Sequence, residues 1–180
     1  MGRAVMIFLI LFCVFSGFAQ ADVSPLQGSN RRIQASLLQG RTYENFLCQN
    51  CRLQGASLKN TVLKLGTCRY CDFSEIDGVN LDARSINFDH SKFRLANLEN
   101  ADLSAVRAYF SNFQSANLKN AKMWGSDLRY CNFENSDLRN ADLSNALLVG
   151  ASFQGAKFNH ATKLPFSKEQ ALSKGMLWEK

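Results

Sequence analysis

The sequence contains only two prolines, Pro25 and Pro165, among its 180 residues. Proline lacks the backbone N–H that a hydrogen-bonded ladder requires, so it is rare inside β-sheets. The long stretch between the two prolines therefore lacks the residue that would interrupt stacked strands. A continuous β architecture is possible throughout that stretch.

The charged residues form no run. The chain has 21 Lys and Arg against 15 Asp and Glu, a formal net charge of +6, and these charges are dispersed. A basic tail that could bind nucleic acid is absent, so we expect no nucleic-acid partner. The length suits one domain with a continuous core and is too short for two ordinary ones.

No apolar segment reaches the roughly 20 residues that a membrane-spanning helix needs. The longest, residues 4–15, follows Arg3, and residues 19–21 read Ala-Gln-Ala, the small-x-small form of a cleavage site. These features predict a signal peptide at 1–21 and a mature chain that begins at Asp22. We expect an exported protein, periplasmic or secreted, with no membrane span after cleavage.

A recognisable catalytic constellation is also absent. The only two histidines, His90 and His160, are far apart in the sequence, and a Ser-His-Asp or Cys-His site needs convergent groups. Neither a glycine-rich phosphate loop nor a metalloprotease helix motif is present. We therefore expect no enzyme and no cofactor.

What the sequence does contain is a period of five residues. From Phe46 onward, large apolar residues recur at five-residue intervals, usually with a small residue two positions earlier, as in residues 101–103 and 141–143. This period fits neither a helix at 3.6 nor a strand at 2. A second spacing of 20 residues relates five phenylalanines: Phe73, Phe93, Phe113, Phe133 and Phe153.

The pattern weakens near residue 76, where large and small residues exchange places. Ile76 stands at the small position and Gly78 at the large one, which keeps the enclosed volume nearly constant, as a close-packed interior demands. On this interpretation the five-residue frame runs unbroken over residues 46–165.

The Ala-Asp/Asn-Leu-x-x pattern resembles the pentapeptide-repeat family. The resemblance implies an all-β fold, a right-handed quadrilateral parallel β-helix in which four pentads form one coil, with about six coils here. The 20-residue spacing of the phenylalanines agrees with that coil length. We expect an N-terminal cap at 22–45, the β-helix at 46–165 and a C-terminal helical cap at 166–180, which opens with a Ser-x-x-Gln capping box.

Two CxxC motifs lie 20 residues apart, so Cys48 should stack on Cys68, and Cys51 on Cys71, at about the separation that a disulfide needs. These four residues are disulfide candidates; a structural zinc site and reduced, buried thiols are the alternatives. The first motif is similar to the opening segment of exported bacterial members of the family, which implies a structural clamp. Cys131 lies too far along the stack to join them and is interpreted as a buried thiol.

One column of the expected stack carries four rings on the outside: Tyr70, His90, Phe110 and Tyr130. Beside it should lie Arg69, Arg107, Tyr109 and Arg129. An outward aromatic strip edged with arginine suits docking of a protein or a glycan. Alternatively, the rings stack on one another and stiffen the turns.

The sequence thus favours a non-enzymatic structural or protein-interaction scaffold of the bacterial envelope, a monomer or homodimer, with an unknown protein or glycan partner. The family resemblance also implies an alternative, a DNA-mimicking protein that binds gyrase. That role needs an acidic surface and a cytosolic location, and both disagree with this chain. A third alternative is an envelope protein that handles thiols or metals through its CxxC pair.

Overall fold

The computed structural model describes residues 38–179. The predicted signal peptide and most of the predicted N-terminal cap lie outside the described residues. Within them, the strands and the helix are β1 (Thr42–Glu44), β2 (Leu47–Gln49), β3 (Val62–Lys64), β4 (Thr67–Arg69), β5 (Lys157–Phe158), α1 (Lys168–Ser173) and β6 (Leu177–Trp178). In the described part of the chain, no helix is long and apolar enough to span a membrane.

The backbone pairs with itself in parallel at an offset of 20 residues. Strand β1 pairs with β3 and β2 with β4, so that Cys48 lies opposite Cys68. Single parallel bridges continue this offset between the strands, as where Asp102 lies opposite Lys122. The chain therefore climbs by one turn of four pentads every 20 residues, which is the pairing of a parallel β-helix.

Each pentad ends in a tight turn with one residue in the left-handed region. The non-glycine residues there have φ between 51° for Leu65 and 61° for Asn140. Asparagine is the most frequent of them, because its short polar side chain tolerates this conformation better than most. The sequence thus places many of its asparagines where the chain must turn.

The phenylalanine column predicted from the 20-residue spacing is confirmed. Its rings, from Phe73 to Phe153, are buried and stack with centroids 4.8–5.2 Å apart and planes within 6° of parallel. The exchange near residue 76 is also confirmed. A Cβ on Gly78 would lie 2.9 Å from Leu98 Cδ2 and 3.4 Å from Ile76 Cδ1, so the isoleucine fills the space that the glycine leaves.

The five-residue frame is not unbroken to residue 165, as predicted. Lys163 lies opposite Asp142, an offset of 21, so the chain gains one residue after Phe158. Polar groups close this longer turn: Asn159 N–H donates to Thr162 Oγ1 at 3.0 Å, and the Thr162 hydroxyl donates to the Leu138 carbonyl at 3.0 Å. The prediction failed because a threonine takes the place that alanine holds in other turns.

At the other end, the stack begins before Phe46. Strand β1 lies in the segment predicted as a cap, yet it pairs with the following turn. Leu38 is buried, and its carbonyl accepts a hydrogen bond from Thr61 Oγ1 at 2.8 Å. The described part of the predicted cap is therefore continuous with the repeats.

The predicted capping box is present at the C-terminal end. Gln170 N–H donates to Ser167 Oγ at 3.3 Å, and Ser167 N–H donates to Gln170 Oε1 at 2.9 Å, which fixes the start of α1. Beyond the helix, β6 pairs with β5, and Trp178 packs edge-on against Phe158 with centroids 5.1 Å apart. Met176 is buried, which anchors the segment after the helix.

Replacing Phe113 with alanine should lower the free energy of unfolding by about 3–5 kcal/mol, because it removes a buried ring from the middle of the column. Trp124, which is 52% exposed, is the matched control, and Trp124→Ala should change stability by about 0.5 kcal/mol or less. Urea unfolding of both variants measures the difference. Equal losses would contradict the packing described here.

Candidate interaction surface and cysteine cluster

The structure brings the four rings of the aromatic strip (Tyr70, His90, Phe110 and Tyr130) into one stacked column. Successive centroids are 4.8, 5.5 and 4.8 Å apart, and adjacent planes differ by 6–13°. Tyr70, Phe110 and Tyr130 are between 45% and 49% exposed. Because the rings are parallel and in contact, their faces cover one another and their edges face solvent.

The two ends of the strip differ. At one end the Tyr130 ring lies against Gly150, where any added Cβ would collide with it. At the other end Tyr70 borders a surface hollow of about 440 Å³, whose lining includes Cys51, Cys71 and Lys92. Only the Tyr70 end of the strip thus opens onto a concave surface.

The arginines expected beside the strip are there. The Arg69 guanidinium lies 5.5 Å from the centroid of Tyr70, and that of Arg129 lies 5.4 Å from the centroid of Tyr109. Tyr109 packs edge-on against Phe110, with centroids 4.5 Å apart. Cation–π contacts of this kind stabilise by about 0.5–1 kcal/mol at exposed sites.

A buried carboxylate that the sequence analysis did not identify holds this surface together. Asp89, whose side chain is 1% exposed, accepts from Arg107 Nη2 at 2.9 Å and from the Tyr109 N–H at 3.1 Å. Arg69 Nε lies 3.9 Å from the same carboxylate. Asp89 follows Arg69 and precedes Tyr109 by one turn each, and this shared column is the signal that could have revealed it.

Arg129 is fixed by a second acid. Its Nε and Nη2 donate to the two carboxylate oxygens of Asp127 at 2.8 and 2.7 Å. The hydrogen bonds from Arg129 hold the pKa of Asp127 below its usual value, against the opposing effect of burial. Asp127 also accepts from the backbone N–H of Arg129 at 3.4 Å, which confirms that an aspartate at this position bonds the backbone of its own turn.

Two exposed apolar residues extend the surface beyond the rings. Leu147 is 52% exposed and Val149 is 67% exposed, and both lie beside Gly150 at the end of the column. The sequence analysis missed them, although Val149 is one turn beyond Arg129 in the same column. The exposed apolar surface therefore spans more turns than the four rings alone.

The cysteine cluster (Cys48, Cys51, Cys68 and Cys71) is stacked as expected, but its disulfide differs. Cys48 is bonded to Cys51, with Cα atoms 5.8 Å apart, and the disulfide expected between stacked partners is not formed. Cys68 and Cys71 are buried thiols. The stacked partners share a register, yet the corner between Cys48 and Cys51 points both sulfurs to one place, where Cys71 joins them.

Three of these sulfurs, those of Cys48, Cys51 and Cys71, lie within 4.8 Å of one another. Thiolates at such separations are the donors of structural zinc sites. Two of the three are bonded to each other here, so the zinc alternative applies only to a reduced protein. Cys131 is a separate buried thiol, and burial raises its pKa to about 12.

The stacked turns and the exposed strip define a repeat solenoid with an outward-facing aromatic surface. The family model described as pentapeptide repeats matches in eight copies, over residues 84–125, 111–133 and 126–162. The chain belongs to the pentapeptide-repeat family, and its solved relatives imply a right-handed β-helix.

Among solved structures, the chain is similar to HetL, a pentapeptide repeat protein involved in heterocyst differentiation regulation from the cyanobacterium Nostoc sp. strain PCC 7120. The identity is 25% and the TM-score 0.61, over 69% of this chain and 58% of HetL, so the chain spans less than two thirds of that relative. Full-length QnrB1, a plasmid-mediated fluoroquinolone resistance protein, is 16% identical with a TM-score of 0.44, over 82% and 97% of the two chains.

A pentapeptide repeat protein from the thylakoid lumen of Arabidopsis thaliana is 20% identical with a TM-score of 0.32, over 78% and 79% of the chains. No curated protein sequence matches the chain significantly. These solved relatives establish the fold and leave the role of the aromatic strip to the chain's own residues.

Replacing Asp89 with alanine should lower the free energy of unfolding by about 1–3 kcal/mol, because it leaves the Tyr109 N–H and the Arg107 guanidinium without their acceptor. Asp72→Ala, which removes a half-buried carboxylate from a neighbouring turn, is the control and should have a smaller effect. Urea unfolding monitored by tyrosine and tryptophan fluorescence reports both. A stability unchanged in Asp89→Ala would mean that the buried carboxylate does not organise the surface.

Proposed function

We propose that this protein is a non-enzymatic interaction scaffold of the bacterial envelope that binds a protein partner along the aromatic strip. The observation that carries the proposal is the strip itself, in which four rings lie in register on successive turns and remain largely exposed. Aromatic and arginine side chains dominate the energetics of protein interfaces. A rigid stack presents them at little further cost in conformational entropy.

The local backbone supports a role beyond turn formation. Tyr70, Phe110 and Tyr130 all occupy the left-handed position, with φ of 57–58°, where asparagine or glycine is better suited. A bulky ring there is unfavourable for the turn itself. Three such residues in one column therefore indicate that something other than turn propensity, either mutual stacking or a partner, favours the rings.

The arrangement of the rings favours a protein over a glycan. A sugar typically packs its C–H face on the face of an aromatic ring, and here the ring faces cover one another. Ring edges carry partial positive charge, and Arg107 and Arg69 are 60% and 42% exposed despite their contacts with Asp89. Such a surface suits the backbone carbonyls and acidic side chains of a protein.

The proposal includes a closed rod of about six coils, with α1 as a cap on the last one. Open ends of a β-stack invite further pairing, and proteins cover them. In support, Ala171 and Met176 are buried at the C-terminal end and Leu38 at the other. The strip would then be the main surface through which the rod associates.

The envelope location rests on two observations. Residues 1–21 have the composition of a cleavable signal peptide. The Cys48–Cys51 disulfide is of a kind that persists in oxidising compartments and is rare in the cytosol of mesophiles. Together they favour the periplasm or the exterior.

Changing Tyr70, Phe110 and Tyr130 together to serine should reduce capture of the partner at least tenfold, since the main contact area is removed. Tagged wild-type and variant proteins would be incubated with an envelope extract of the producing bacterium, and cross-linked products identified by mass spectrometry. Trp124→Ser is the control, because it removes an equally exposed ring elsewhere. Cross-links from the captured protein should map beside the strip.

Two results would contradict this. If the triple variant loses its cooperative unfolding transition, the rings are structural and the binding proposal is wrong. If the wild-type protein binds purified envelope polysaccharide, and the triple variant does not, while no protein cross-links to the strip, the partner is a glycan.

Protein purified from the producing bacterium should begin at Asp22. Intact mass spectrometry after alkylation without reduction measures both the N-terminus and the disulfide content, and a value two hydrogens light agrees with one disulfide. A chain that retains Met1 and has fully alkylated cysteines would overturn the envelope location. It would leave the binding role of the strip to be decided by the capture experiment.

A further inference from the structure

The two CxxC motifs occupy equivalent places in consecutive turns but differ in oxidation state. Cys48 and Cys51 form a disulfide, whereas Cys68 and Cys71 are thiols. The parallel register of β2 and β4 puts Cys48 directly opposite Cys68, and Asp72 N–H donates to the Cys51 carbonyl at 2.8 Å, which fixes Cys71 over Cys51. A disulfide and a dithiol are thus held one above the other.

The sulfurs are close enough to react. The Cys71 sulfur lies within 4.8 Å of both disulfide sulfurs, and Cys71 is hydrogen-bonded to Cys68. Thiol–disulfide exchange needs a thiolate beside a disulfide sulfur and a second thiol to resolve the mixed disulfide. The cluster contains all three participants.

The nucleophile can be assigned from its surroundings. The hydrogen bond from Cys68 lowers the pKa of Cys71, against the opposing effect of burial, while burial raises the pKa of Cys68 well above its usual value. Cys71 is therefore the thiol that ionises first. Redox-active cysteines often depend on a helix N-terminus for this effect; here a neighbouring thiol supplies it.

We propose that the cysteine cluster is a thiol–disulfide relay, in which the disulfide moves between the first and the second CxxC motif. The Cys71 thiolate attacks the Cys51 sulfur, the Cys51–Cys71 bond forms, and the Cys48–Cys51 bond breaks with Cys48 leaving as a thiolate. Cys68 then attacks the Cys71 sulfur and Cys51 leaves. The products are a Cys68–Cys71 disulfide and a Cys48/Cys51 dithiol.

This exchange is balanced without an external oxidant. One sulfur–sulfur bond forms for each that breaks, and the two protons released by Cys71 and Cys68 are taken up by Cys48 and Cys51. Cys51 and Cys71 both line the hollow beside Tyr70, which opens to solvent and gives the protons a route. The relay is independent of the proposed binding role of the aromatic strip.

The positions of the arginines and lysines make the relay directly measurable. Trypsin leaves Cys48 and Cys51 together in residues 42–52, Cys68 in residues 65–69 and Cys71 in residues 70–84. Each pairing therefore gives a different product in a digest without reduction. An internal disulfide leaves 42–52 alone, the mixed disulfide links 42–52 to 70–84, and the transferred disulfide links 65–69 to 70–84.

The test uses the full folded chain at pH 8, quenched with acid, alkylated in denaturant and then digested. The wild-type protein should contain both the internal disulfide of 42–52 and the 65–69/70–84 link. Cys68→Ala removes the resolving thiol and should trap the 42–52/70–84 link at least tenfold above wild type. Cys71→Ser should leave only the internal disulfide, and serine suits this column because Ser91 and Ser111 follow in it.

Cys131, in residues 130–139, is the internal control for random scrambling. Circular dichroism first establishes that each variant is folded. If the folded Cys68→Ala protein gives no 42–52/70–84 link, or links 42–52 to 130–139 just as often, the relay does not exist. A purely structural disulfide would give the same digest in all variants.

Discussion

The parallel pairing of each residue with the one 20 positions later is the constraint on which the rest of this structure depends. Stacked backbones lie about 4.8 Å apart, so side chains at that spacing in the sequence must contact each other. A ring placed on another ring can stack, a cysteine on a cysteine can exchange bonds, and an asparagine on an asparagine can share hydrogen bonds. Asn100, Asn120 and Asn140 do so, with amide contacts of 3.1 and 3.0 Å.

The same pairing imposes a local cost at every corner. The left-handed turn residues are unfavourable by roughly 1–2 kcal/mol for side chains other than glycine and asparagine. The ladder offsets this, because the turn residues donate across turns, as Phe110 N–H does to the Arg129 carbonyl at 3.1 Å. Burial of the phenylalanine column adds the apolar contribution. Local strain is therefore sustained by contacts that exist only when several turns are stacked.

This division explains what could be predicted from the sequence. The period of five and the spacing of 20 were enough to place the phenylalanine column, the aromatic strip and the stacking of the cysteines, because these depend on register alone. The turn after Phe158 was not predictable, since its extra residue is accommodated by side-chain hydrogen bonds of Asn159 and Thr162. The pairing of Cys48 with Cys51 was missed for a related reason: spacing gives stacking partners, while side-chain direction at a corner decides which sulfurs meet.

Asp89 shows how a rigid frame changes the meaning of a dispersed charge. In the sequence it is one acid among many, but the stack places it between Arg69 and Tyr109, where water is excluded and both neighbours supply donors. The buried carboxylate draws the arginines against the rings and so shapes the outer surface from within. Tyr70, the last ring of the strip, also borders the hollow that Cys51 and Cys71 line. The exposed rings and the sulfur cluster are thus parts of one continuous region, held in place by the register that stacks the turns beneath them.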